Sequence, residues 1–204
     1  MVNSNDMHVI KRNGKKEIIS FDKILKRIKC IGKKLGLKKI IYAQLAMKVI
    51  DQLHDNINTT KIDELTAEQS ASMISIHPDY VKLASAITVS NLHKNTKSSF
   101  YETFKDLYNY KDVNNNNINL IDKELFTIIE ENKDILDNML NYEQDFLFDF
   151  FGFKTLERSY LMRINNIIVE RPQHMFLRVA LCIHKNNFTK VKETYDLMSN
   201  KYFI

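Results

Sequence analysis

The sequence predicts an α+β fold that is mainly helical. Four Gly and two Pro in 204 residues are too few for an all-β chain with many tight turns, and they favour helices. From residue 24 onward apolar residues recur at helical spacing, beginning with Ile24, Ile28, Ile31 and Leu35. Ahead of that run, residues 9–23 read Val-Ile-Lys-Arg-Asn-Gly-Lys-Lys-Glu-Ile-Ile-Ser-Phe-Asp-Lys. Asn13-Gly14 there is the strongest short-range hairpin signal, because a two-residue type I′ turn needs positive φ at both central positions.

Taken in order, the hairpin comes first. A two-residue loop sets Ile10 opposite Glu17, Val9 opposite Ile18 and Lys11 opposite Lys16, crowding several cations around one carboxylate. Like charges face each other unfavourably in a bare ribbon. The segment is therefore either a lysine-studded edge that resists strand addition or an anion site. Ser20 is the expected N-cap of the first helix, with Asp22 in its first turn complementing the helix dipole, and the helix should end near Gly36. A second helix is expected over residues 41–53, with Ala46, Val49, Ile50 and Leu53 toward the core. Thr60 and Asp63 have the spacing of a weakened capping box for a third helix, Asp being shorter than the preferred Glu or Gln. A fourth helix should start at Pro78, where no amide donor is needed, with Tyr80, Leu83, Ala84 and Ile87 buried and His77 serving as a turn or cap residue. Residues 111–119, with four consecutive Asn, read as a flexible linker and a domain boundary. Beyond it one or two helices are expected over 120–140, an aromatic core segment at 146–153, and helices over 154–163, 172–184 and 189–202.

Charge is unevenly placed. The net charge is +5, yet between Lys11 and Lys39 twelve cations face only Glu17 and Asp22. Such a patch attracts phosphates of nucleotides, nucleic acid or membrane. No Walker-type Gly-x-x-x-x-Gly-Lys and no Gly-x-Gly-x-x-Gly occurs, so nothing points to a hydrolysing P-loop or a dinucleotide fold. Cys30 and Cys182 lack Cys-x-x-Cys spacing and are expected as buried thiols. His174 and His184 lack clustered partners, so no metal site is expected. No apolar run approaches a membrane span and the first residues carry no targeting pattern, which makes a reducing cytoplasm the expected location.

The order apolar-x-Lys-Arg-Asn-Gly-x-x-Glu-x-x-x-Phe-Asp-Lys-Ile resembles the ATP-cone at the N-terminus of class I ribonucleotide reductase large subunits. His77-Pro78-Asp79-Tyr80, Val89-Ser90-Asn91-Leu92-His93-Lys94, Asp106-Leu107-Tyr108-Asn109-Tyr110, residues 151–161 and Glu170-Arg171-Pro172-Gln173-His174-Met175 resemble later stretches of the eukaryotic-type subunit, in order. The resemblance implies a four-helix bundle capped by a small three-stranded sheet over residues 7–98, a helix and Asn-rich linker over 99–119, and the helical lead-in to a catalytic barrel over 120–204. It implies ATP or dATP as allosteric effectors, accompanied by magnesium, in an enzyme of deoxyribonucleotide synthesis. Residue by residue, Lys11 and Arg12 match the family's cationic pair, and Glu17, Ile18, Ile19, Ser20, Phe21, Asp22 and Lys23 match the segment lining the nucleotide. Thr59 and Asp63 match polar positions on the third helix, and Lys94 matches a phosphate-side lysine. Successive strand residues point to opposite faces, so Lys11 and Arg12 can share a ligand only if the strand ends between them.

The resemblance also implies protein partners: the reductase small subunit, and other large-subunit chains or a complementary barrel fragment. The family's three catalytic cysteines have no match among Cys30 and Cys182, so this chain by itself is expected not to reduce ribonucleotides. A truncated or split gene product, a stand-alone nucleotide-binding regulatory module and a basic nucleic-acid-binding helical domain remain as other readings. The last of these lacks interleaved aromatics on the basic segment.

Overall fold

The computed structural model describes residues 7–202, which divide into two compact units. One comprises the described residues up to Asn91 together with Asp149–Phe153, and the other Leu92–Phe148 with the residues from Lys154 onward.

The first unit opens with strands β1 (His8–Ile10) and β2 (Lys16–Ile18), paired antiparallel in the register His8↔Ile18, Val9↔Glu17 and Ile10↔Lys16. This is one residue away from the register a two-residue loop gives. Gly14 N–H donates to the Lys11 carbonyl and Lys11 N–H to the Lys15 carbonyl, both at 2.9 Å. Gly14 has φ +78 while Asn13 is not left-handed. The connection is thus a type I turn closed by a left-handed glycine, with the extra residue that this geometry inserts. A third strand, β3 (Ile57–Asn58), lies parallel to β1, giving the order β2-β1-β3.

Helix α1 (Phe21–Lys34) starts at Ser20, whose hydroxyl accepts from Lys23 N–H, and buries Ile24, Ile28 and Ile31. Leu35, expected to continue that stripe, is the C-cap and 41% exposed. The reason is a Schellman ending: Gly36 at φ +63 turns the chain, with Leu37 N–H donating to the Gly32 carbonyl and Gly36 N–H to that of Lys33. Helix α2 (Tyr42–Ile50) is shorter than expected. Ile41 precedes it as an exposed cap residue whose N–H donates to the Tyr80 hydroxyl, and Asp51 ends it.

Helix α3 (Thr59–Ser72) does not begin with the expected capping box: Asn58 holds the cap position, and the Asp63 carboxylate is turned to arginines instead. Helix α4 (Asp79–Asn95) follows Pro78, buries Tyr80, Leu83, Ala84 and Ile87 as its spacing predicts, and has His77 Nδ1 accepting from Asp79 N–H. Ile28, Leu45, Ile57, Tyr80, Leu83 and Ile87 form the centre of this unit, each almost fully buried. Buried side chains of this size contribute ~1.5–3 kcal/mol apiece, more than the helix propensity of any ordinary residue.

Three helices open the second unit: α5 (Phe100–Tyr108), α6 (Lys123–Glu131) and α7 (Lys133–Met139). A 3-10 helix (Tyr142–Leu147) follows, then α8 (Phe150–Ser159), whose first turn groups with the first unit. A hairpin of β4 (Arg163–Ile164) and β5 (Ile167–Ile168) leads to α9 (Pro172–His184) and α10 (Phe188–Ser199). Helix α8 starts four residues before the expected 154 and stops before Arg163, which belongs to the hairpin. There Asn165 and Asn166 both have positive φ, 49 and 64, so the two-residue turn of primed type sits here. The Asn-rich tract lies inside this unit as a closed turn, with the Asp112 carboxylate accepting from Asn114 and Asn116 N–H.

Both cysteines are exposed rather than buried. At 100° per residue, Cys30 falls off the Ile24–Ile28–Ile31 stripe and Cys182 turns away from buried Leu181. Among the described residues no helix is long and apolar enough to cross a membrane.

His174 on α9 is buried without charge. Tyr142 donates its hydroxyl hydrogen to the Ser98 carbonyl, so the 2.7 Å contact with His174 Nε2 requires the proton on that nitrogen. Burial, reinforced by Arg171, holds the imidazole pKa down at about 3, from 6.5. Between those values the unfolded chain takes up a proton that the folded chain refuses, so stability is full above pH 6.5 and falls as pH drops toward 3. The expected loss at pH 5 is ~2 kcal/mol. Denaturant midpoints at pH 7 and pH 5 should converge in His174→Gln relative to wild type; equal pH dependence in both would remove His174 from the acid response.

Candidate functional site

Strand β1 ends at Ile10, so Lys11 and Arg12 sit in the turn and escape strand alternation. Their side chains go to different carboxylates. Lys11 Nζ lies 3.2 Å and Lys23 Nζ 2.6 Å from Glu17 Oε2. The Ser20 cap fixes Lys23 in the first turn of α1, beside the end of the hairpin. The Lys23 ammonium foremost, and then that of Lys11, hold the exposed Glu17 carboxyl below its usual range.

Arg12 reaches the second carboxylate, Asp63 on α3, which is only 7% exposed. Arg12 Nη2 donates to Asp63 Oδ2 at 3.3 Å and also to Asn91 Oδ1 on α4. From α1, Arg27 addresses the same carboxylate as a fork, Nε to Oδ1 and Nη2 to Oδ2, both at 3.2 Å. Arg27 Nη2 further donates to Ser90 Oγ at 3.1 Å. Asn91 Nδ2 donates to the Thr60 carbonyl at 3.3 Å. The turn and three helices are thereby joined through one nearly buried carboxylate.

Of the residues singled out from the sequence, the structure gathers Lys11, Glu17 and Lys23 into one group and Arg12 and Asp63 into another. Ser20 and Asp22 occupy the cap and first turn of α1. Ile18 is 51% exposed, while Ile19 and Phe21 are half-buried. Thr59 opens α3 and Lys94 lies in the last turn of α4. Sequence reading missed Arg27, Ser90 and Asn91. One signal was available for Arg27: it is the lone arginine in a helix otherwise supplied with lysines, and a guanidinium is the cation suited to a bidentate, partly buried carboxylate.

Four cations meet two carboxylates here, leaving an excess of positive charge and many N–H donors. No nucleophile paired with a base is present in either group, and the described residues contain no cluster that could hold a metal ion. Such a surface suits recognition of an anion carrying hydrogen-bond acceptors.

Comparison with known families agrees with this chemistry. Residues 7–95 match the family described as the ATP cone domain, and residues 146–204 match the ribonucleotide reductase all-alpha domain. The chain is 47% identical over 198 residues to the ribonucleoside-diphosphate reductase large subunit of Danio rerio, covering 97% of this chain and 25% of that protein. Its identity to the Plasmodium falciparum (isolate Dd2) large subunit is 48%, covering 97% and 24%, and to that of Variola virus 47%, covering 97% and 26%. The chain thus spans about a quarter of the length of the curated relatives it matches. With both domain types present in order, the chain belongs to the ribonucleotide reductase large-subunit family, whose N-terminal region it matches.

Proposed function

We propose that residues 7–98 bind ATP or dATP as an activity effector of ribonucleoside-diphosphate reduction, with magnesium accompanying the triphosphate. The observation that carries this reading is the gathering of Lys11, Lys23, Arg12 and Arg27 about Glu17 and Asp63. In it, Lys11, Arg12 and Lys23 meet the phosphates. Ile18, Ile19 and Phe21 supply apolar surface beside the base, and Ser20, Asp22 and Thr59 supply polar groups along the nucleotide. Asp63 accepts a hydrogen bond from the ribose. The reductase small subunit and other large-subunit chains are the protein partners this function requires.

Asp63→Asn tests the reading because it keeps an acceptor of the same shape and removes the charge. ATP and dATP differ only in the 2′-hydroxyl. The ratio of their calorimetric affinities should therefore move, by about fivefold or more, since a hydrogen bond to a charged group is worth ~1.5–3 kcal/mol. An unchanged ratio would confine Asp63 to holding the helices together.

A further inference from the structure

We infer that Arg27 is a positioning residue for effector discrimination: it keeps Asp63 paired and oriented when Arg12 leaves that carboxylate for phosphate. This rests on the effector reading above and extends it to a residue that does not itself touch the nucleotide.

Two demands on Arg12 conflict. Arg12 Nη2 is directed at both Asp63 Oδ2 and Asn91 Oδ1; to serve a triphosphate it must give up part of that contact. Arg12 sits in a turn, from which its side chain can swing. Asp63 sits on a 14-residue helix at 7% exposure, and cannot follow. A nearly buried carboxylate that loses its cation is strongly destabilised.

Arg27 removes the conflict. Its fork engages both Asp63 oxygens, and its donation to Ser90 Oγ fixes the guanidinium plane from α4. Neither contact involves the turn. When Arg12 departs, Asp63 therefore keeps two charge-assisted hydrogen bonds, while the Oδ2 position that Arg12 held becomes available to a ribose hydroxyl. Arginine is required for this, because a lysine can supply the charge but not the fork that fixes the carboxylate plane.

The test is calorimetric titration of the folded chain with ATP and dATP in wild type, Asp63→Asn, Arg27→Gln, Arg27→Lys and the Arg27→Gln/Asp63→Asn double variant. Arg27→Lys guards against misfolding, since it retains the cation beside Asp63. Both Arg27 single variants should move the ATP-to-dATP affinity ratio in the direction Asp63→Asn moves it, by about fivefold, and the double variant should move it no further than Asp63→Asn alone, as coupled neighbours do. A fold contribution alone would leave the ratio untouched. An equal loss of affinity for both nucleotides would make Arg27 a phosphate ligand and overturn the assignment. So would an unchanged ratio in both Arg27 variants while Asp63→Asn shifts it. Absence of binding by folded wild type would overturn the effector reading itself.

Discussion

Lys11→Ala is expected to weaken ATP and dATP binding by roughly one to two decades, the equivalent of one charge-assisted hydrogen bond to phosphate at ~1.5–3 kcal/mol. The fold should tolerate the change. Lys11 lies in the turn, and Glu17 keeps its shorter contact, 2.6 Å, to Lys23. Its effect should be similar for the two nucleotides, because they share the triphosphate, and should shrink as salt screens exposed charge. This separates it from Asp63, whose replacement is expected to change the ratio between nucleotides. Calorimetric titration at two ionic strengths checks it; a loss below twofold at low salt would remove Lys11 from the phosphate site.

The largest effect on stability is expected in the second unit, at Glu170. This carboxylate is fully buried and takes three donors: Arg178 Nε at 2.8 Å, Arg178 Nη2 at 3.1 Å and Met162 N–H at 2.9 Å. It ties the β4–β5 hairpin to α9. Glu170→Ala strands the Arg178 guanidinium and the Met162 amide together, and removing one partner of a buried pair costs ~3–5 kcal/mol. Denaturant unfolding of the variant should show a matching drop in midpoint at unchanged slope. Partial recovery in Glu170→Ala/Arg178→Met, where the stranded charge is also gone, would attribute the loss to the unpaired cation rather than to lost packing.

Much of the architecture was legible because it is written in local pattern. The Ile24–Ile28–Ile31 stripe and the Ser20 cap each act over a single turn of chain, and the structure has them where the spacing puts them, with α4 beginning one residue after Pro78. What was misread depends on choices that local pattern leaves open. Asn13-Gly14 marks a turn correctly, but a glycine at φ +78 serves a type I turn with an inserted residue as readily as a primed one, and the register moved by one. Asn165 and Asn166, with no glycine between them, make the primed turn instead. Strand β3 is two residues long and pairs with a segment some fifty positions earlier, so no periodicity announces it.

The site shows the same division. Lys11, Glu17 and Lys23 were visible as one charged stretch of sequence. Arg27, Ser90 and Asn91 were not, because they meet only when α1, α3 and α4 pack around Asp63. The Thr60–Asp63 spacing offered a capping box, and folding gave the carboxylate to two guanidinium groups instead. A charged acceptor 7% exposed gains more from a fork of N–H donors than from a backbone amide that water can also satisfy.

The most direct test of the effector reading is calorimetric titration of the unaltered chain with ATP at moderate salt and excess magnesium. Saturable heat with one site per chain, abolished or weakened at least tenfold by Lys11→Ala, is the result expected of four cations held about two carboxylates. A chain that is folded by circular dichroism yet releases no heat with millimolar ATP or dATP would contradict it.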